Sequence, residues 1–149
     1  MKEWMKKRKS RGFTLVELLI VIVIIGILAG SLLLVMGSGT DKANATKIVS
    51  DMRTLKAAAL MYYSDENKWP TTLDNVKDYL DRTPSTIIAT YAYVNDSPKS
   101  GDCAIEASGI TDEGIQDRLV LMAGDSGLLQ SDLSAEYVKD DTAYMVIAK

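Results

Sequence analysis

Apolar and polar positions fall into three regimes along the chain. From Leu15 to Met36, 22 residues carry a single charge, Glu17. As a helix this stretch is about 33 Å long at ~1.5 Å per residue, enough to cross the ~30 Å hydrocarbon core of a bilayer. The run "LLIVIVII" would suit a buried strand if it were short. Its length instead selects a helix, whose backbone hydrogen bonds are satisfied internally in lipid. Farther on, Ile48, Met52, Leu55, Ala59 and Tyr62 recur at spacings of four and three, with Asp51, Arg53 and Lys56 on other faces. That pattern predicts an amphipathic helix to about Tyr63. The intervening "GSGTDK" (37–42) reads as a hinge, since each glycine costs a helix roughly 1 kcal/mol without having to end it. The two halves can thus form one long helix that flexes near Gly37 and Gly39.

The third regime starts at "SDENKWPTT". Pro70 disfavours the helical region for Trp69, and the polar cluster reads as a loop. "LDNVKDYL" (73–80) is expected to be a short surface helix. Beyond Pro84, four runs rich in β-branched and aromatic residues are expected as strands: "TIIATYAYV" (86–94), "CAIEA" (103–107), "RLVLMA" (118–123) and "TAYMVIA" (142–148). Turn-rich "NDSPKSGD" and "AGDSG" lie between them. Packing a small antiparallel sheet on the amphipathic half of the helix would bury both apolar faces and give an α+β head. The seven tyrosines are too scattered for a stacking platform and are expected as core and rim residues of that head.

Charge divides the chain unevenly. Six of the 17 lysines and arginines, but only one of the 20 acidic residues, stand in the first twelve positions, so the remainder has 11 basic against 19 acidic groups. A cationic leader before the apolar run and an acidic sequence after it predict an N-terminus in the cytoplasm and residues 41–149 outside. The acidic remainder repels nucleic acid as a bulk field, although a local basic patch near Lys77 and Arg82 is conceivable.

The chain has one cysteine, Cys103, and no histidine. No intramolecular disulfide can form, and the Ser-His-Asp, Cys-His and usual zinc arrangements are excluded. Cys103 is expected to be a small buried hydrophobe. "GSGTDK" lacks the third glycine and the preceding strand of a dinucleotide-binding loop. A calcium loop begun at Asp96 places Gly101 correctly at position six but fails at Pro98 (position three) and Ala107 (position twelve). No cofactor is therefore expected, with a cation held between the acidic loops "NDSPKSGD" and "TDEGIQD" as the open alternative.

Glu17 needs its own explanation. A carboxylate near the bilayer interior costs about 2.5–3.5 kcal/mol on insertion scales, so its presence marks a partner or a function. The surrounding "KKRKSRGFTLVELLIVIVIIGILA" (6–29), with its basic leader, Gly12, Phe13, Thr14, Leu15, Glu17 and Gly26, resembles the N-terminal signature of type IV pilins and the pseudopilins of type II secretion and DNA-uptake machines. The resemblance implies cleavage between Gly12 and Phe13 by a prepilin peptidase, then N-methylation of Phe13. It also implies pairing of the Glu17 carboxylate with the new Phe13 amine of a neighbouring subunit, and the pilin fold for the whole chain. Many type IV pilins also carry a C-terminal disulfide loop, which this sequence cannot form. Leu34 stands where many have a helix-bending proline.

Residues 1–12 are accordingly expected as a cleaved leader, 13–36 as a transmembrane and filament-core helix, 37–64 as its amphipathic half and 65–149 as the head. The implied role is a structural, non-enzymatic subunit that forms a helical homopolymer. Its implied partners are the peptidase/methyltransferase, an inner-membrane platform and a cytoplasmic motor ATPase. It would pass from the cytoplasmic membrane to an extracellular or periplasmic filament. The competing reading is a membrane-tethered extracytoplasmic binding module, in which Gly12-Phe13 stays intact and Glu17 is replaceable by leucine. A catalytic head would have only carboxylates, hydroxyls and lysines to work with, in no visible constellation.

Overall fold

The computed structural model describes residues 12–95 and 103–148, and within them all side chains except those of 33–38. Helix α1 runs Leu15–Glu66, and the chain divides into one unit ending at Gly37 and another beginning at Ser38. In the first unit Leu15–Leu32 are long and apolar enough to cross a membrane, and none of that window is buried.

In the second unit α1 buries Ala45, Ile48, Val49, Met52, Leu55, Ala58 and Ala59, a stripe with the 3.6-residue period read from the sequence. The helix ends at Asn67, which adopts a left-handed φ of 52° while its N–H reaches the Tyr63 carbonyl at 2.8 Å. Asparagine tolerates this conformation, so the stop falls before Pro70 can act. Trp69 then folds back to stack on Tyr63, with ring centroids 4.3 Å apart. Leu73–Tyr79 form a 3-10 helix, where the sequence suggested an unspecified short helix.

Three antiparallel strands in the order β1-β2-β3 complete the head: β1 Thr90–Val94, β2 Cys103–Ser108 and β3 Ala143–Ala148. Tyr93 faces Ile105, and Ile105 faces Met145. Period-2 alternation turns Tyr91, Tyr93, Cys103, Ile105, Ala107, Ala143, Met145 and Ile147 into the core they share with α1. Two hydrogen bonds to backbone carbonyls help sew helix to sheet: the Tyr93 hydroxyl donates to the Leu55 carbonyl at 2.9 Å, and Lys56 Nζ donates to the Val146 carbonyl at 2.8 Å.

The expected strand at 118–123 is instead part of helix α2, Glu113–Ser126. "RLVLMA" is apolar enough for either structure, but Ile115, Leu119 and Ala123 repeat every four residues and are the buried apolar ones, with Gln116 buried beside them. Asp112 caps the start by accepting from the Gly114 and Ile115 amides at 2.8 and 3.3 Å. Gly127 closes the end at φ 70°, the left-handed position that favours glycine. The first expected strand shortens to 90–94, because Ser85–Ile88 lead into it outside any strand.

Asp51, expected on a face other than the apolar stripe, is nonetheless buried. It is 2% exposed and holds Lys47 Nζ at 3.2 Å, Arg82 Nη2 at 3.1 Å and the Tyr91 hydroxyl at 3.4 Å. This carboxylate pins α1 to β1 and to the segment before it. Arg82 is thereby engaged, and Lys77 faces Asp74 at 4.0 Å, so the two cations of the suggested basic patch are both spent on carboxylates. Asp51→Ala removes the acceptor of a buried tyrosine and one side of two ion pairs. Because Arg82 and Lys47 reach water, the expected loss is about 1–3 kcal/mol rather than the ~3–5 of a fully buried pair. Urea unfolding of the detergent-solubilised chain measures it, and an unchanged midpoint would contradict the role given to Asp51.

Cys103 is buried as expected, and it is also a donor: Sγ lies 3.1 Å from Asn95 Oδ1, while Asn95 Nδ2 lies 2.9 Å from the Pro70 carbonyl. Burial pushes the Cys103 thiol up to about 11, and burial likewise raises the Tyr91 and Tyr93 hydroxyls. A folded-state pKa above the unfolded one contributes stability that is complete below the ordinary thiol value of 9.0 and is lost as pH rises toward the folded value. The urea midpoint should therefore hold to about pH 8.5 and fall between pH 9 and 11. Iodoacetamide at pH 8 should modify Cys103 only after unfolding, and rapid alkylation of the folded chain would contradict this burial.

Tyr91, Tyr93 and Tyr137 are core residues, whereas Tyr62 and Tyr79 meet edge-to-face at the rim with centroids 6.2 Å apart. Of the acidic loops, residues 96–102 lie outside the described part. In the other, Asp112 is the α2 cap, and Glu113 and Asp117 hold Lys139 Nζ at 3.2 and 3.1 Å.

Candidate processing and assembly site

Gly12, Phe13 and Thr14 precede α1 in non-helical conformation, and all three are exposed, Phe13 at 84%. Among the described residues, a Cβ built on Gly12 would meet nothing within 4 Å, so no packing seen there requires glycine.

Five residues after Gly12, Glu17 closes a reciprocal cap. Its Oε2 accepts the Thr14 backbone N–H at 2.9 Å and the Thr14 hydroxyl at 2.7 Å, while Thr14 Oγ1 accepts the Glu17 N–H at 3.2 Å. Two of the amides that a helix start leaves unpaired are thereby satisfied. A carboxylate in the first turn also opposes the positive end of the helix dipole. The hydrogen bonds described for Glu17 all go to Thr14, not to Phe13. Phe13 lies before the helix begins. Thr14 was missed as the partner of Glu17, although "TLVE" has the S/T-x-x-E spacing that identifies such a cap.

Among the described residues every position from Leu15 to Leu32 is exposed, an apolar surface suited to lipid or to other molecules. Ser31 turns its hydroxyl back to the Leu28 carbonyl at 2.9 Å, which removes a polar group from that surface.

A long apolar and then amphipathic helix followed by a three-stranded antiparallel sheet is the architecture of the pilin fold. Residues 7–33 match the family model described as the prokaryotic N-terminal methylation motif, and residues 39–108 match that of PilW, C-terminal. The major type IV pilin PilA1 of Clostridium difficile has the same fold, with a TM-score of 0.55 at 22% identity over 75% of this chain and 99% of that one. Among curated proteins, the chain is similar to type II secretion system core protein G of Klebsiella michiganensis, 44% identical over 68 residues, and of Aeromonas hydrophila, 46% identical over 68 residues. Each match covers 46% of this chain and 48% of the relative, so the chain spans about half the length of these relatives.

Proposed function

We propose that the chain is the precursor of a structural filament subunit of the type IV pilus or pseudopilus kind. The observation that carries this reading is the pairing of the methylation motif over 7–33 with an apolar stretch, Leu15–Leu32, that is unburied among the described residues. Such a helix rests in lipid first and is buried among its own kind once extracted. Residues 1–12 form the leader, 13–36 the membrane and filament-core segment, 37–64 the amphipathic segment and 65–149 the head. The precursor crosses the cytoplasmic membrane once, N-terminus inside.

The site residues take successive roles. Gly12 leaves the scissile bond unshielded for an intramembrane prepilin peptidase, which also methylates Phe13. Cleavage converts Phe13 into a cation, and Glu17 then exchanges its Thr14 cap for the amine of a neighbouring subunit, replacing lost hydration in a dry interior. An inner-membrane platform and a cytoplasmic motor supply the lift from the membrane. Because the contact is heterologous and does not close, one repeated interface makes a fibre.

Similarity to core protein G favours a type II secretion pseudopilus as the second reading, while the fold likeness to a major pilin extends over more of the chain. Immunogold microscopy of sheared producing cells tests the shared claim. Antibody to the head should decorate filaments along their length, and a chain found only in membrane without decorated filaments would favour a tethered module instead. Deletion then separates the two readings through loss of exported enzymes or loss of surface pili.

A further inference from the structure

Among the described large apolar residues of the head, Ile87 is the most exposed at 93%, and Val138 is 51% exposed. Isoleucine and valine are among the residue types most often buried in a folded domain. The two belong to separate loops that meet at one end of the head. Ile87 lines a cleft with Asn44 of α1 and with Ile110 and Ile115 beside the start of α2. The turn that bears Val138 is tied to the same place: the Ile110 N–H donates to the Asp141 carbonyl at 2.9 Å, and Lys139 Nζ holds Glu113 and Asp117 at 3.2 and 3.1 Å. A Cβ at Gly114 would collide with Asp41 Oδ2, so the first turn of α2 also lies against the Asp41 side chain.

The chain itself says what adjoins this end. Asn44 follows Met36, the last residue of the apolar run, by about two helical turns, or ~12 Å at ~1.5 Å per residue. Outside the ~30 Å hydrocarbon core of a bilayer the headgroup zone adds about 5–7 Å on each side. A bend at Gly37 or Gly39 lowers the height of Asn44 above that zone. The Ile87 end of the head is thus the end tethered within reach of lipid, and its apolar side chains continue the membrane contact of the preceding segment. Exposed Lys42 stands between the apolar run and Asn44, where a lysine meets headgroup phosphate while its stem stays on apolar surface. Acidic groups stand here too. Asp112 is spent on the α2 cap, Glu113 and Asp117 are offset by Lys139, and Asp140 and Asp141 remain. That residual negative charge suits zwitterionic headgroups better than anionic ones.

We propose that, before assembly, the end of the head bearing Ile87 and Val138 rests on the membrane surface, with both side chains in the headgroup layer. Each contact is weak alone, but the membrane segment of the same chain holds the head over the lipid at high effective concentration. Two apolar points on separate loops fix the tilt of the head as well as its height, and both leave the lipid when the subunit is extracted. This assignment rests on the membrane-anchored precursor read above and adds which part of the head touches lipid.

The test uses the full-length precursor reconstituted into vesicles of phosphatidylethanolamine with a minority of phosphatidylglycerol. Ile87→Cys, Val138→Cys and Leu121→Cys, the last at a 74% exposed position that lines a different groove with Met61, are each labelled with a nitrobenzoxadiazole dye. The parent chain, carried through the same labelling, gives the blank for buried Cys103. Lipid carrying a nitroxide near its headgroup should quench the dye at positions 87 and 138 by about twofold or more, as expected for groups within ~5–10 Å of the headgroup boundary, and leave the dye at 121 unchanged. Quenching should weaken as the phosphatidylglycerol share is raised, and the opposite trend would refute the contact as described. If the chain floats with the vesicles but 87 and 138 are not quenched, or if all three positions are quenched equally, the lipid contact falls and the anchored precursor stands. A dye at 87 that is shielded only as the protein is crowded in the bilayer, without quenching by the lipid, would assign the patch to a second copy and overturn the proposal. A chain that does not float with vesicles would overturn the anchored precursor and this assignment with it. Because the dye is itself apolar, a second variant is needed. Ile87→Asp in the Val138→Cys chain should keep the unfolding temperature and lower quenching at 138 to the level seen at 121. Unchanged quenching in that variant would refute the role of Ile87.

Discussion

Glu17→Ala chains will be inserted in the membrane and cut after Gly12, yet be absent from sheared filaments. Losing one partner of a desolvated charge pair costs about 2–5 kcal/mol at an interface, and every subunit repeats the loss, so the sheared fraction should drop by more than about tenfold. The cap seen here supplies a sharper comparison. Glutamine at the third helical position closes a capping box as well as glutamate does, so Glu17→Gln preserves the bonds to Thr14 while removing the charge. If Glu17 acts through a neighbour's amine, Glu17→Gln fails like Glu17→Ala. Normal filaments from Glu17→Gln would mean that capping is the whole role of Glu17.

Gly12→Val should give the opposite failure, an uncut precursor of full length that stays in the membrane. A Cβ at position 12 meets no described atom within 4 Å, and Gly12 lies outside the buried core of the head. The head and α1 should therefore fold as before, and a loss confined to processing would place the demand for glycine at the bond that is cut. Immunoblotting of membranes resolves precursor from product, because removing twelve residues shifts the mobility. A mature chain beginning at Phe13 in this variant would refute the assigned scissile bond. In each variant the head should unfold at the same temperature as in the parent chain, since neither position belongs to its core.

What the sequence could show depended on how local the signal was. The α1 core stripe and the alternation in β1, β2 and β3 were legible, because burial of one face dictates periods of 3.6 and 2 whatever lies opposite. Residues 118–123 were not, since a six-residue apolar run satisfies both periods. The deciding features were Asp112 and Gly127, cap residues outside the run itself. The burial of Asp51 was not legible for a different reason. Its neighbour Lys47 is visible four residues away, but Arg82 and Tyr91 arrive from 31 and 40 positions downstream, and no local pattern announces them. At the processing segment the sequence pointed to Gly12, Phe13 and Glu17 through resemblance, and the structure supplied Thr14 as the group that holds the Glu17 carboxylate before any partner is present. The meeting of Ile87 and Val138 at one end of the head could not be read from the chain at all, because the two stand far apart in the sequence and no local pattern joins them.

The most direct measurement is intact-mass and N-terminal peptide mass spectrometry on the fraction sheared from producing cells and sedimented at high molecular weight. A subunit processed as proposed begins at Phe13 and carries one methyl group on its amine. A chain beginning at Met1 and confined to the membrane fraction would contradict the proposal.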